Sequence, residues 1–573
     1  MEFSVWAPGH RLVELVLEDG RRLPMRRAER GWWHLSGAET TTYRYAVDGG
    51  DPHPDPRSAW QPQGIEGPSG VVDHKGFAWQ SVGRLGAKWP PHAIYELHIG
   101  TFSSEGTFEG AVKHLDHLVH LGVDAVEVMP VAEASGERGW GYDGVDLWAP
   151  HHAYGGPAGL KYFVEQCHVR GLAVIVDVVY NHLGPVGNYL GQFGPYFTDA
   201  YKTPWGSAVN MDGAGSYGVR EFVIGNALMW LRDYHIDGLR LDAVHAIYDE
   251  SAVHILEQLA SAVDLLSTDL GRPLWLIAEN DRNDPRVARA RGEHGYGLSA
   301  CWDDDFHHAL HALLTGESHS YYADFGRVAQ LAKAFTDGFV YDGSFSEFRQ
   351  RDQGRSATGL PGSAFVCFLQ NHDQVGNRAR GERMSQLVGT DLLKVGAALL
   401  LLSPFVPMVF QGEEWGASTP FLYFTDHKAP ELARAVSEGR RREHPTEGGD
   451  EVPDPQDLET FLRSKLDWSE ADREPHRSLL EWHRRLIALR RQEPDLAGHN
   501  HRLVGTAFDE ERRWLVVRRG RCFIAANLAD QGQALPLEGA TTKSEVLLSS
   551  GEDASFEGGR VKLGPRAVAV VAG

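Results

Sequence analysis

Four apolar, β-branched stretches of this sequence end in residues able to move protons and bind hydroxyls: DVVYNH (Asp177 to His182), DGLRLDAVH (Asp237 to His245), LIAEND (Leu276 to Asp281) and LQNHDQVGN (Leu369 to Asn377). Asp242, Glu279 and Asp373 put one carboxylate on each of three of these strand ends. Cleaving an acetal at neutral pH needs such a set: a carboxylate nucleophile, a second carboxyl held protonated to release the leaving oxygen, and negative charge beside an oxocarbenium-like transition state. Arg240 stands two residues before Asp242, so strand alternation puts both on one face. A guanidinium there keeps a neighbouring carboxylate ionised and oriented, which makes Asp242 the nucleophile and leaves Glu279 as the acid. His182 and His372 can donate hydrogen bonds to sugar hydroxyls. Any one of the acids could instead cap the following helix; all three with these neighbours point to chemistry.

Such residues cooperate only where the strands bring their carboxyl ends to one mouth. Eight strand candidates run through the middle of the chain: AIYELHI at 93, DAVEVMP at 124, AVIVDVV at 173, GLRLDAV at 238, LWLIAEN at 274, SACWDDD at 299, AFVCFLQN at 364 and VPMVFQG at 406. Amphipathic segments such as PAGLKYFVEQCHVRG and REFVIGNALMWLRDYHI lie between them, and the alternation predicts an α/β fold with a (β/α)8 barrel. Residues 1–88, with short alternating segments between Gly, Pro and Asp, read as an N-terminal β-sandwich module. Residues 89–492 form the catalytic barrel in this reading. Residues 493–573 return to short strands (WLVVRR, CFIAAN, EVLLSS, AVAVVA) and form a C-terminal antiparallel β-domain. The polar stretch from Ala429 to Pro455 reads as a long loop leaving the last barrel strand.

Composition narrows the function. Lys and Arg total 56 against 78 Asp and Glu, a net charge of −22 that repels phosphate backbones and anionic membranes, so neither nucleic acid nor membrane is expected as a partner. The four cysteines (Cys167, Cys301, Cys367, Cys522) include no CxxC pair and read as reduced core thiols. With no signal-like N-terminus and its longest apolar run broken by Gly, Ser and Pro, the chain is expected to be cytoplasmic. The 64 glycines and 16 tryptophans suit a neutral polyhydroxylated ligand that stacks on aromatic faces.

The strand-end motifs and the layout that holds them resemble the α-amylase superfamily of glycoside hydrolases and transglycosylases. The resemblance implies Asp242 as nucleophile, Glu279 as general acid/base and Asp373 as the transition-state stabiliser that grips the hydroxyls of the sugar being cleaved. It implies Tyr142, in GWGYDG, as the aromatic platform under that sugar, and Asp177 as the brace of Arg240, with Asn181 beside it. His245, Gln374 and Asn377 fall on the same motifs and join the expected substrate-binding set. LIAEND, NHDQVGN, SACWDDDFHH and GEEWGASTPFLYFTDH are similar to segments of the maltooligosyltrehalose trehalohydrolases, which release trehalose from maltooligosyltrehalose. On that likeness Asp304, Asp305, His307 and His308 reach the substrate, and Asp304, His308, Glu413 and Trp415 are expected to line the trehalose side.

Other signals are weaker. GWGYDG satisfies GxGxxG, yet no helix follows it and the dinucleotide reading lapses. The histidines of HLDHLVH (His114, His117, His120) drift around a helix and read as a solvated face rather than a metal site, and no metal or cofactor is expected. Trp140, Trp302 and Trp415 lie by strand ends and are candidates for stacking on sugar, whereas Trp32, Trp33, Trp275 and Trp514 read as core. A trehalose-releasing retaining hydrolase acting on maltooligosyltrehalose and other α-1,4-glucan oligosaccharides leads the functional readings. A glucan branching transglycosylase is the alternative, and a non-catalytic carbohydrate-binding protein is disfavoured by the intact carboxylate set.

Overall fold

A computed structural model describes residues 1–81, 88–444 and 452–573. All eight strand candidates form strands, here β1 (Ile94–Leu97), β2 (Ala125–Val128), β3 (Ala173–Val178), β4 (Gly238–Leu241), β5 (Trp275–Ala278), β6 (Ala300–Trp302), β7 (Phe365–Phe368) and β8 (Val406–Phe410). Each pairs in parallel with its sequence neighbours and β8 returns to β1, closing the barrel. The β-branched and aliphatic runs suit this environment because parallel strands are covered on both faces.

Alternation explains how the barrel presents chemistry at one end. The inward positions near the start of the strands are apolar: Ile94, Ala125, Ala173, Ile175, Trp275, Ile277, Ala300, Trp302, Val366, Phe368, Val406 and Met408 form one buried cluster. Two residues further along the same faces stand Glu96, Glu127, Asp177, Glu279 and Asp304, with Arg240 and Asp242 on β4. A dry floor thus supports a charged upper layer, where the C-terminal ends of the strands open.

At the N-terminus two small antiparallel sheets, one of three strands (Glu2–Trp6, Trp32–Ser36, Arg26–Arg27) and one of four (Arg22–Pro24, Val13–Leu17, Thr42–Val47, Ser69–Gly70), form the expected β-module. Trp6 anchors the module on the barrel. Its indole lies against Gly194 and Gly218, where an added Cβ would meet ring atoms at 2.8 and 2.2 Å. Residues 504–572 form a five-stranded and a three-stranded antiparallel sheet. Arg519 donates from this unit to Leu402 O (2.7 Å) and Ser403 O (2.8 Å), the turn preceding β8. The loop expected from Ala429 to Pro455 is corrected in part: Pro430–Glu443 is an α-helix with proline at its first position. Residues 445–451, the EGGD part of that stretch, lie outside the described residues, as does much of the linker before residue 88. All four cysteines are buried and unpaired. Among the described residues no helix is long and apolar enough to cross a membrane.

Candidate active site

β4 delivers Arg240 into the barrel above Trp302 of β6, with its guanidinium carbon 4.1 Å from the ring centroid. The buried guanidinium binds three carboxylates: Nη1 donates to Asp177 Oδ2 (2.6 Å) and Asp242 Oδ1 (2.9 Å), and Nη2 donates to Glu279 Oε2 (2.9 Å). Arg240 therefore touches acid and nucleophile alike, and its contact alone does not separate them. The remaining bonds do. Asp242 Oδ2 accepts from Asn181 Nδ2 at 2.8 Å, so both Asp242 oxygens face donors. On Glu279 the second donor, the N–H of Ala243 at 2.8 Å, shares Oε2 with Arg240 and leaves Oε1 free to carry a proton. Burial raises the Glu279 pKa above the ordinary carboxylate value, with Arg240 opposing the rise and the Asp242 charge adding to it.

Tyr142 closes the other side. Its hydroxyl donates to Asp177 Oδ2 (2.7 Å) and accepts from His372 Nε2 (2.8 Å), and its ring stacks on His372 with centroids 5.1 Å apart. Glu96 of β1 holds His372 from below, 2.5 Å from Nδ1. Burial pushes the His372 pKa down, but Asp373 and Glu96 outweigh it and lift the value to about 9. Burial likewise pushes Asp177 up to about 7 despite Arg240. Asp373 is half-buried at the rim, with Oδ1 accepting from Asn377 Nδ2 at 3.2 Å. Gln374 sits beside it with a buried Oε1 that has no protein partner. His245 lies near Glu279, where its Nδ1 accepts from the Asp281 N–H at 3.4 Å. Asp304, at the end of β6, faces the same space, since the charges of Glu279, Asp281 and Asp373 act on it after burial itself in raising its pKa.

Other expected residues lie elsewhere or act differently. His182 and His372 were expected to donate to sugar, but His182 lies 2.5 Å from Asn181 Oδ1 and 3.0 Å from Tyr142 O, so both histidines orient Tyr142 and its neighbours. Asp305 is buried and accepts from Asn283 Nδ2 (2.7 Å) and the Tyr341 N–H (2.7 Å), which fixes a loop. His307 is fully buried between Leu369 O and the Tyr322 hydroxyl, each at 2.9 Å, and His308 packs against Tyr321 and Phe325. Glu413 turns back to accept from the Phe410 N–H at 3.2 Å, and burial raises its pKa to about 8. Trp415 is 0% exposed and packs on His117 and Trp468 in the helix layer. Trp140 is stacked on Phe421, and Trp302 is the floor under Arg240; both are buried, at 6% and 2% exposure. The HLDHLVH helix is not a solvated face throughout, because His114 stacks on Trp468 and His117 bonds Glu414 at 2.8 Å.

Two contributors escaped the sequence reading. Glu96 has a visible signal, an acid on the inward face of a strand. Trp205, 51% exposed and stacked on His182 at 4.2 Å, lies in a hairpin whose return to the mouth no local pattern announces.

A (β/α)8 barrel with three carboxylates around one buried arginine at its C-terminal end defines a glycoside hydrolase of the α-amylase type. Residues 73–199 match the alpha amylase catalytic domain model, and residues 501–570 match a domain of unknown function. A malto-oligosyltrehalose trehalohydrolase of Arthrobacter ramosus is 53% identical over 501 residues, covering 86% of this chain and 87% of that enzyme. Another of the same name, from Rhizobium sp. (strain M-11), is 47% identical, covering 99% and 97%. The crystal structure of a Salmonella typhimurium protein assigned to the alpha amylases superposes with a TM-score of 0.90 at 39% identity, covering 100% of this chain and 97% of that one. A glucan branching enzyme of Pseudoalteromonas atlantica is more distant, 28% identical over 60% of this chain and 54% of its own. The chain belongs to the malto-oligosyltrehalose trehalohydrolase family.

Proposed function

We propose that the protein hydrolyses the α-1,4-glucosidic bond next to the terminal trehalose of maltooligosyltrehalose with retention of anomeric configuration. The observation that carries this reading is the unequal satisfaction of two carboxyls on one guanidinium. Asp242, with both oxygens facing donors, is the anion that attacks the anomeric carbon; Glu279 Oε1 gives its proton to the glycosidic oxygen as that bond breaks, freeing trehalose. Glu279, now a carboxylate, takes a proton from water, which opens the glycosyl–Asp242 ester and releases the maltooligosaccharide. Anchorage to adjacent nitrogens of Arg240 keeps the two carboxyls near each other, in keeping with the ~5–5.5 Å spacing of retaining enzymes. Tyr142 and Asp373 hold the sugar being cleaved.

On the trehalose side Asp304 remains, and Tyr321 joins it, since Asp373 and Asp304 both act on its hydroxyl. Product analysis tests the reading. Maltooligosyltrehalose should give free trehalose, and the reducing sugar should appear first as the α-anomer. New α-1,6 branches from amylose without trehalose release would favour the branching reaction instead.

A further inference from the structure

Glu133, His151 and His152 gather at the foot of the excursion that carries Tyr142. Glu133 belongs to the strand Ala132–Ala134, which pairs with Gly144–Pro150, and the two histidines follow directly. Between these ends the chain runs out through Tyr142 and back, so the three side chains close its base. Glu133 Oε1 lies 3.1 Å from His151 Nδ1 and 2.8 Å from His152 Nδ1, and its side chain has no exposed surface. We infer that these three residues form a binding site for a divalent transition metal of the zinc class, which staples the base of the Tyr142 excursion.

The spacing suits the ion. Nitrogen and oxygen ligands at about 2.0–2.1 Å in a tetrahedron stand ~3.3 Å apart, close to the 3.1 and 2.8 Å that separate Glu133 Oε1 from the two Nδ1 atoms, and one ligand atom from each of the three residues lies within 4.8 Å of the others. Two imidazoles and one carboxylate are a donor set for zinc, and a fourth position is left for water. Among the described residues neither Nε2 has a protein partner, so each ring can keep its proton there and turn the Nδ1 lone pair inward. A second observation is independent of the trio. Asp146, directly across the hairpin from Glu133, is buried, and its Oδ2 has no partner.

The full-length protein, stripped with a chelator and dialysed, is incubated with zinc chloride, desalted and assayed for bound metal, and its thermal transition is recorded with and without zinc. His152→Gln is the test variant because this histidine, 27% exposed in its side chain, is the least buried of the three. His120→Gln, on an exposed ring bonded only to its own helix, is the control. The parent and the control should retain about one equivalent of zinc and gain ~2 °C or more in Tm, and cobalt in its place should give visible d–d absorption. His152→Gln should lose all three responses. A parent that retains no metal, or a His152→Gln variant that binds and shifts as the parent does, overturns the site.

Discussion

Glu279→Gln separates the two chemical steps assigned to this carboxyl. Glutamine reproduces the neutral acid already favoured by burial, and its amide oxygen can accept both bonds now made to Oε2, from Arg240 at 2.9 Å and Ala243 at 2.8 Å. The fold and Arg240 should therefore stay in place, and the loss should fall on proton transfer alone. Positioned general acid catalysis is worth roughly 10²–10⁴-fold, or about 2.7–5.5 kcal/mol of barrier. Turnover of maltooligosyltrehalose should drop by that factor. An aryl α-glycoside with a good leaving group needs little protonation, so formation of its glycosyl–Asp242 ester should continue and be seen as a burst of phenol. Release then stalls for want of a base, and azide, which needs none, should restore it and give a glycosyl azide of retained configuration. The pH profile carries the same signature. A group whose pKa is raised is protonated over a wider range, so the parent's kcat/KM should fall only as pH climbs through that raised value, and the variant should lack this limb on the activated substrate. Equal losses on both substrates, with no burst and no azide rescue, would refute the assignment of Glu279.

Asp242→Asn should abolish turnover while oligosaccharide affinity, read by calorimetry, stays within a few-fold, because the amide keeps the shape but cannot attack. Glu127→Gln should leave activity nearly unchanged. Glu127 is buried beside Glu96 with its pKa raised, first by desolvation and then by that neighbour, so its contribution to stability is complete below the ordinary glutamate pKa and is lost as pH rises. The Tm advantage of the variant should accordingly widen from pH 5 to pH 8 in calorimetric scans. Trp415→Ala should cost ~3–5 kcal/mol of stability by opening a core cavity and leave the preference for maltooligosyltrehalose over plain maltooligosaccharide intact. Asp304→Ala should do the reverse, lowering that preference in kcat/KM ratios with little change in denaturation midpoint.

The barrel was legible because its strands are covered on both faces and so read as unbroken apolar runs, and because a period of two carries each inward face from an apolar floor to a polar rim. The C-terminal unit was legible only where it is buried. WLVVRR and CFIAAN announce themselves, whereas Ser555–Glu557 is short and largely exposed, and Arg560–Leu563, although it alternates and buries Val561 and Leu563, spans only four residues. Pro430–Glu443 lies in a stretch whose polar, Gly- and Pro-rich composition points to a loop, although proline at the first turn and the Ala, Glu and Arg that follow are helix signals. Charge there reflects one exposed face of a helix, not the lack of one.

At the site, what the sequence determines is the direction in which a strand side chain points; direction inside a turn or on a helix depends on what packs against it. SACWDDDFHH shows the divide. Asp304 continues the alternation of β6 and lands in the mouth, but a helix begins at that same residue, and from there the period becomes 3.6. His307 and His308, three and four residues after Asp304, and His311, seven after it, are all buried in the core; His307 bonds Leu369 O and the Tyr322 hydroxyl, His311 bonds Glu317, and His308 packs on Tyr321 and Phe325. The same change of period after β8 carries Trp415 through a single 3₁₀ turn into the helix layer. Substrate contacts in this fold are therefore best sought at the last inward strand position and the first helical residue after it; beyond that point an aromatic or histidine is more often the wall that holds the mouth than the surface that meets the sugar.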